Sequence, residues 1–128
     1  MQKTIVHTNL APAAVGPYSQ AVATTGTKTI YLSGQIGFIP ASGELVTESF
    51  EAQVKQAFQN MTAVVQAAGA DLSDIVKLTL YLTDLSKFSE VNQIMATVIP
   101  EPFPARSTVE VSGLPKGADF EVEAIVVC

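Results

Sequence analysis

Ile75-Val76-Lys77-Leu78-Thr79-Leu80-Tyr81-Leu82 alternates in the two-residue period of a half-buried β-strand. Val76, Leu78, Leu80 and Leu82 fall on one face, with Ile75, Lys77, Thr79 and Tyr81 on the other. Just upstream the period changes. Val54, Ala57, Phe58, Met61, Val64, Val65 and Ala68 recur at three- and four-residue spacing, the stripe of an amphipathic helix. Ser49 is placed to cap that helix, Glu51 suits its first turn, and Gly69 ends it. Downstream, a second helix is expected from Ser86 to about Ile99, with Phe88, Val91, Ile94, Met95 and Val98 as its buried stripe. Pro100 and Pro102 stop it.

Working outward, Lys3 to His7, Tyr18 to Thr24 and Thr29 to Gly37 read as strands. In the last of these, Ile30, Leu32 and Ile36 take one face, and Tyr31, Ser33 and Gln35 the other. Thr108 to Val111 and Phe120 to Val127 are the closing strands. The order β-β-β-α-β-α-β-β predicts an α+β fold in which two helices cover one face of the sheet. The other face carries Tyr31, Ser33, Thr79, Tyr81, Glu121, Glu123, Ile125 and Val127. That set is too mixed for a monomer core and too apolar for plain solvent, so it is expected to meet other subunits.

The bulk numbers narrow the class. A chain of 128 residues predicts one domain spanning 1–128. A net charge of −5 and a pI near 4.6, with lysines scattered singly, argue against a nucleic-acid footprint. Cys128 is the only cysteine and His7 the only histidine, which excludes an intramolecular disulfide and a zinc cluster within one chain. No basic-then-apolar leader and no bilayer-length apolar run appear, so the expectation is a cytoplasmic protein without a membrane partner. Nucleotide-binding glycine motifs are missing, and no cofactor is expected.

Arg106, the only arginine, lies in Pro102-Phe103-Pro104-Ala105-Arg106-Ser107-Thr108, between a proline-stiffened turn and an expected strand. A guanidinium grips a carboxylate or phosphate through two parallel hydrogen bonds, which lysine cannot reproduce. A surface charge or a structural ion pair is the other reading of the bare residue. Glu121 and Glu123 share a strand face with Ile125 and Val127. A carboxylate there has a raised pKa unless paired, and can orient or deprotonate a water; lining a solvated cleft is the alternative. Tyr18, after the rigid Gly16-Pro17 pair, supplies a wall or a hydroxyl, or is an ordinary strand tyrosine.

Several stretches resemble the RidA/YjgF family, in the right order and over essentially the whole chain. They are Ala11-Pro12-Ala13-Ala14-Val15-Gly16-Pro17-Tyr18-Ser19-Gln20-Ala21, Ser33-Gly34-Gln35-Ile36, Asp74-Ile75-Val76-Lys77, Val91-Asn92, Phe103-Pro104-Ala105-Arg106-Ser107 and Glu121-Val122-Glu123-Ala124. The resemblance implies a chorismate-mutase-like α+β fold and a homotrimer with ligand clefts between subunits. It also implies hydrolysis of reactive enamines and imines, such as 2-iminobutanoate and 2-iminopropanoate, to 2-oxo acids and ammonia. A non-catalytic trimeric binder of small carboxylates is the rival reading, and an endoribonuclease or translation inhibitor a third.

By the same resemblance Arg106 binds the substrate carboxylate, Glu121 stands near the attacking water, and Tyr18 is the motif tyrosine. Ser33 and Gly34 line the cleft, Asn92 is the asparagine of the Val-Asn pair, and Ser107 and Thr108 complete the substrate contacts. Two departures stand out. Thr108 occupies the place of the family's usual cysteine, and Met95, Val98 and Ile99 follow Val91-Asn92 where aromatics are common.

Overall fold

The computed structural model describes residues 2–128. In chain order its elements are β1 (Gln2–Val6), β2 (Ala21–Thr25), β3 (Thr29–Tyr31), β4 (Gln35–Ile36), α1 (Phe50–Ala67), β5 (Ile75–Leu82), α2 (Phe88–Val98), β6 (Ala105–Glu110) and β7 (Phe120–Val127). The main sheet has the order β3-β7-β5-β6, and β4 also pairs with β7. β6 runs parallel to β5 because α2 carries the chain back across the sheet between them. The other ladders are antiparallel. β1 and β2 form a separate two-stranded sheet.

Helix α1 starts as its sequence demands. Ser49 accepts from the Ala52 N–H at 3.0 Å, and Gly69 adopts φ +82° just past the end. Val54, Phe58, Met61 and Val65 of α1 are buried against Leu78 and Leu80 of β5 and Phe120 and Val122 of β7. Val91 and Met95 of α2 complete the same core. Phe58 and Phe120 meet with ring centroids 5.5 Å apart. Both helices therefore sit on one face of a mixed sheet, the α+β arrangement expected.

Four local expectations need correcting. The stretch Thr29 to Gly37 is not one strand. The register slips from Leu32 bonded to Ala124 to Gln35 paired with Val122, which leaves an extra residue between β3 and β4. Residues paired across a ladder share a face, so Ile36, opposite Glu121, moves to the open side and Gln35 to the helix side. A second bulge, between Ile75 and Lys77, buries Ile75 completely and leaves Val76 half-buried, the reverse of the alternation read from sequence. β2 begins only at Ala21, so Tyr18 lies in a turn, its N–H on the Gly16 carbonyl at 2.8 Å. Arg106 lies inside β6, and not ahead of it.

Val127, assigned to the open face, is only 9% exposed. The turn after β2 covers it: a Cβ on Gly26 would lie 2.7 Å from Val127 Cγ1.

Candidate functional site

Arg106 is in register with Leu78 on β5, so its side chain leaves the sheet on the helix face. There it reaches α2, where Nη1 donates to Asn92 Oδ1 at 2.6 Å and meets Met95 Sδ at 3.6 Å. The guanidinium carbon lies 4.8 Å from the Tyr18 ring centroid and 5.1 Å from that of Phe88. Both distances are those of cation–π contacts. Gly16 lies on a third side, where a Cβ would stand 3.4 Å from Arg106 Nη2, an ordinary contact distance.

The side chain is half-buried, and among the described residues no carboxylate lies within ion-pair distance of it. Among the described residues the one ion pair is Glu51–Lys55 on the surface of α1. Burial lowers the Arg106 pKa, opposed by the nearby Tyr18. The group nevertheless stays protonated at physiological pH. Val15, Tyr18, Leu85, Phe88, Arg106 and Thr108 line a cleft of about 280 Å³. A permanent cation in a mostly apolar, aromatic-walled cleft, with its protein acids elsewhere, is suited to a small anion.

Glu121 occupies the other face. It pairs with Tyr81 of β5 and Ile36 of β4, while its neighbour Glu123 pairs with Thr79. Tyr81 donates its hydroxyl to Glu123 Oε1 at 2.7 Å, which occupies that carboxylate and raises the tyrosine pKa. Glu121 makes no such bond among the described residues, and burial, then the charge of Glu123, raises its pKa. Its carboxylate lies over the backbone of the second strand segment: a Cβ on Gly34 would stand 2.6 Å from Glu121 Cδ. Gly34, the last residue before β4, is thus a glycine for a steric reason.

The predicted site residues fall into two groups. Arg106, Tyr18, Asn92 and Thr108 come together on the helix face. Glu121, Gly34 and the exposed Ser33 come together at the open face. Ser107 also points to the open side, where Lys77 Nζ donates to its Oγ at 3.2 Å. One chain does not bring the arginine and the glutamate into one cleft. Thr108 Oγ1 is buried without a hydrogen-bond partner among the described residues. Sequence reasoning missed Val15 and Leu85 as wall residues and assigned Phe88 wholly to the core, whereas it is half-buried and faces the guanidinium.

Fold and site together define a two-layer α+β protein with an arginine-centred, aromatic-walled cleft at the β6 edge of its sheet. Comparison with known proteins places it further. The family model described as Endoribonuclease L-PSP matches residues 8–128, and the chain belongs to that family, the YjgF/RidA family. It is 48% identical to the 2-iminobutanoate/2-iminopropanoate deaminase of Dermatophagoides farinae, over 98% of this chain and 96% of that one. It is 46% identical to the Bos taurus protein of the same name, over 98% of this chain and 90% of that one. The crystal structure of RidA from the Antarctic bacterium Psychrobacter sp. PAMC 21119 superposes with a TM-score of 0.76 at 46% identity, covering 98% of this chain and 99% of that one.

Proposed function

We propose that this chain hydrolyses reactive 2-imino acids, among them 2-iminobutanoate and 2-iminopropanoate, to 2-oxo acids and ammonia. The observation that carries this reading is the half-buried Arg106 guanidinium, fixed by Asn92 and two rings, with no acid among the described residues in reach. Two relatives 46–48% identical to this chain carry the deaminase name, which supports the same substrate class.

Arg106 holds the substrate carboxylate with Nε and Nη2, the nitrogens that Asn92 does not occupy. Immobilising the imine in this way removes translational freedom, which contributes several kcal/mol to the acceleration. Glu121 takes a proton from water as the water oxygen bonds to the imine carbon, and passes that proton to the imine nitrogen as the C=N π bond opens. The resulting carbinolamine collapses: Glu121 moves the hydroxyl proton to the amino nitrogen, the C–N bond breaks, ammonia leaves, and the 2-oxo acid remains with Glu121 again ionised. An imine is electrophilic enough to need no further activation in this scheme.

Arg106 and Glu121 lie on opposite faces of one sheet, so the complete site takes them from two copies. The mixed open face, with Tyr31 76% exposed, fits a surface covered by a second chain, and a homotrimer closes three such clefts by symmetry. The test is a coupled assay in which a dehydratase generates the imine from threonine or serine and semicarbazide traps it. Turnover lowers semicarbazone formation. Binding of 2-oxobutanoate with no such reduction would instead establish a non-catalytic carboxylate binder.

A further inference from the structure

The segment that carries Val15, Gly16 and Tyr18 runs from the end of β1 at Val6 to the start of β2 at Ala21 without a helix or strand of its own. Loops of that length in a small fold are usually functional, and something must hold them. Packing does not: residues 11 to 15 are exposed, and Leu10 and Val15 reach 98% and 88%. Backbone pairing does not either, for among the described residues no backbone–backbone hydrogen bond outside the regular elements reaches residues 8 to 15.

One side chain supplies what is missing. Gln20 Oε1 accepts from the Thr8 N–H at 2.7 Å. Its Nε2 donates to Pro12 O at 2.6 Å, to Thr8 O at 3.1 Å and, more weakly, to Ala11 O at 3.4 Å. Both hydrogens and the oxygen of this primary amide are thus spent on the loop. Gln20 is itself well anchored. It precedes Ala21, which pairs with Val6, and follows Ser19, whose N–H donates to Pro104 O at 3.0 Å beside β6.

The consequence reaches the cleft. With the loop held, the Val15 N–H donates to Tyr18 Oη at 3.3 Å. The phenol oxygen is then an acceptor toward Val15, and its own hydrogen is directed elsewhere, available to a ligand beside Arg106.

We propose that Gln20 is a positioning residue for the Arg106 cleft, acting through the backbone of residues 8–15 to fix the Val15 wall and the donor direction of Tyr18. The nature of the ligand rests on the deaminase reading above; the coupling of Gln20 to the cleft does not. The test uses Gln20→Leu, which removes every hydrogen bond of the amide, and Gln20→Glu, which keeps only the acceptor for Thr8. Backbone hydrogen exchange should accelerate by about tenfold at Val15 in both variants, and at Thr8 in Gln20→Leu alone, while exchange in α1 and β5 stays unchanged. The Kd for 2-oxobutanoate, and the KM for the imine, should rise by about tenfold. Unchanged loop exchange, or faster loop exchange with unchanged 2-oxobutanoate affinity, overturns the proposal. A wild-type protein that binds 2-oxobutanoate without imine turnover counts against the deaminase reading, while the effect of Gln20 on that binding still decides its role.

Discussion

Arg106 Nη1 and Asn92 Oδ1 lie 2.6 Å apart, a bond between strand β6 and helix α2 that fixes a cation with a neutral partner. Neutrality is what matters. An acid in that place would satisfy the guanidinium and repel an incoming carboxylate. Asn92→Asp should therefore weaken 2-oxobutanoate binding by at least about tenfold more than Asn92→Ala does, since like charges in contact cost several kcal/mol. Isothermal titration of both variants measures the difference; equal losses would mean that Asn92 contributes shape alone.

Gly34 should be intolerant of a methyl group for a reason confined to Glu121. The new Cβ would stand 2.6 Å from Cδ and 3.1 Å from Cγ of that side chain, which must swing away. Because the displaced group is a flexible, partly exposed side chain, Gly34→Ala should leave melting nearly unchanged while kcat falls by roughly 100-fold or more, a positioned base being worth about 10²- to 10⁴-fold. A variant that melts early and keeps its kcat would make Gly34 a folding residue.

The pH profile has a defined direction. Burial, and then the charge of Glu123, hold the Glu121 carboxyl above its ordinary value. A base must be ionised, so kcat/KM should rise through that elevated pKa and level off above it. Because the folded-state value exceeds the unfolded one, the favourable contribution of Glu121 to stability is complete below the unfolded pKa. It is lost as pH rises through the folded one. Glu123→Gln removes the second cause and should move the acid limb of the rate profile to lower pH. A limb that does not move belongs to another group.

Thr108 Oγ1 is buried without a hydrogen-bond partner among the described residues. Thr108→Val keeps the shape and removes the unsatisfied hydroxyl, so chemical denaturation should show a gain of about 1 kcal/mol. Imine turnover should persist if this position contributes shape and backbone; its loss would give the hydroxyl a part in the chemistry.

Much of this architecture was legible from periodicity. Helix α1 needs only Ser49, an apolar stripe and Gly69, all local, and Leu78, Leu80 and Leu82 follow a strict two-residue period. The bulges were not legible. Ile36 and Ile75 each occupy a position that alternation assigns correctly for an unbroken strand, and what moves them is pairing with β7, far away in sequence. Arg106, Tyr18 and Asn92 were found partly from the rarity of arginine and partly from resemblance to a family. Their mutual contact is a product of the parallel β5–β6 ladder, which no local pattern encodes. Gln20 went unnoticed because glutamine carries no motif chemistry of its own, and its importance lies in the backbone of a loop up to twelve residues upstream.

The separation of Arg106 from Glu121 by the thickness of the sheet makes the sharpest demand. If the working site joins the Arg106 cleft of one copy to the Glu121 face of another, Arg106→Ala and Glu121→Gln are each inactive alone and complement one another when mixed. In randomly mixed assemblies about one site in four receives both native residues, so about a quarter of wild-type activity should return. The measurement is semicarbazone formation from dehydratase-generated imine, with wild type, each variant and the co-refolded mixture. Suppression by the wild type, none by either variant, and partial suppression by the mixture is the predicted result. A mixture as inactive as its components, or a wild type that leaves semicarbazone formation unchanged, would contradict it.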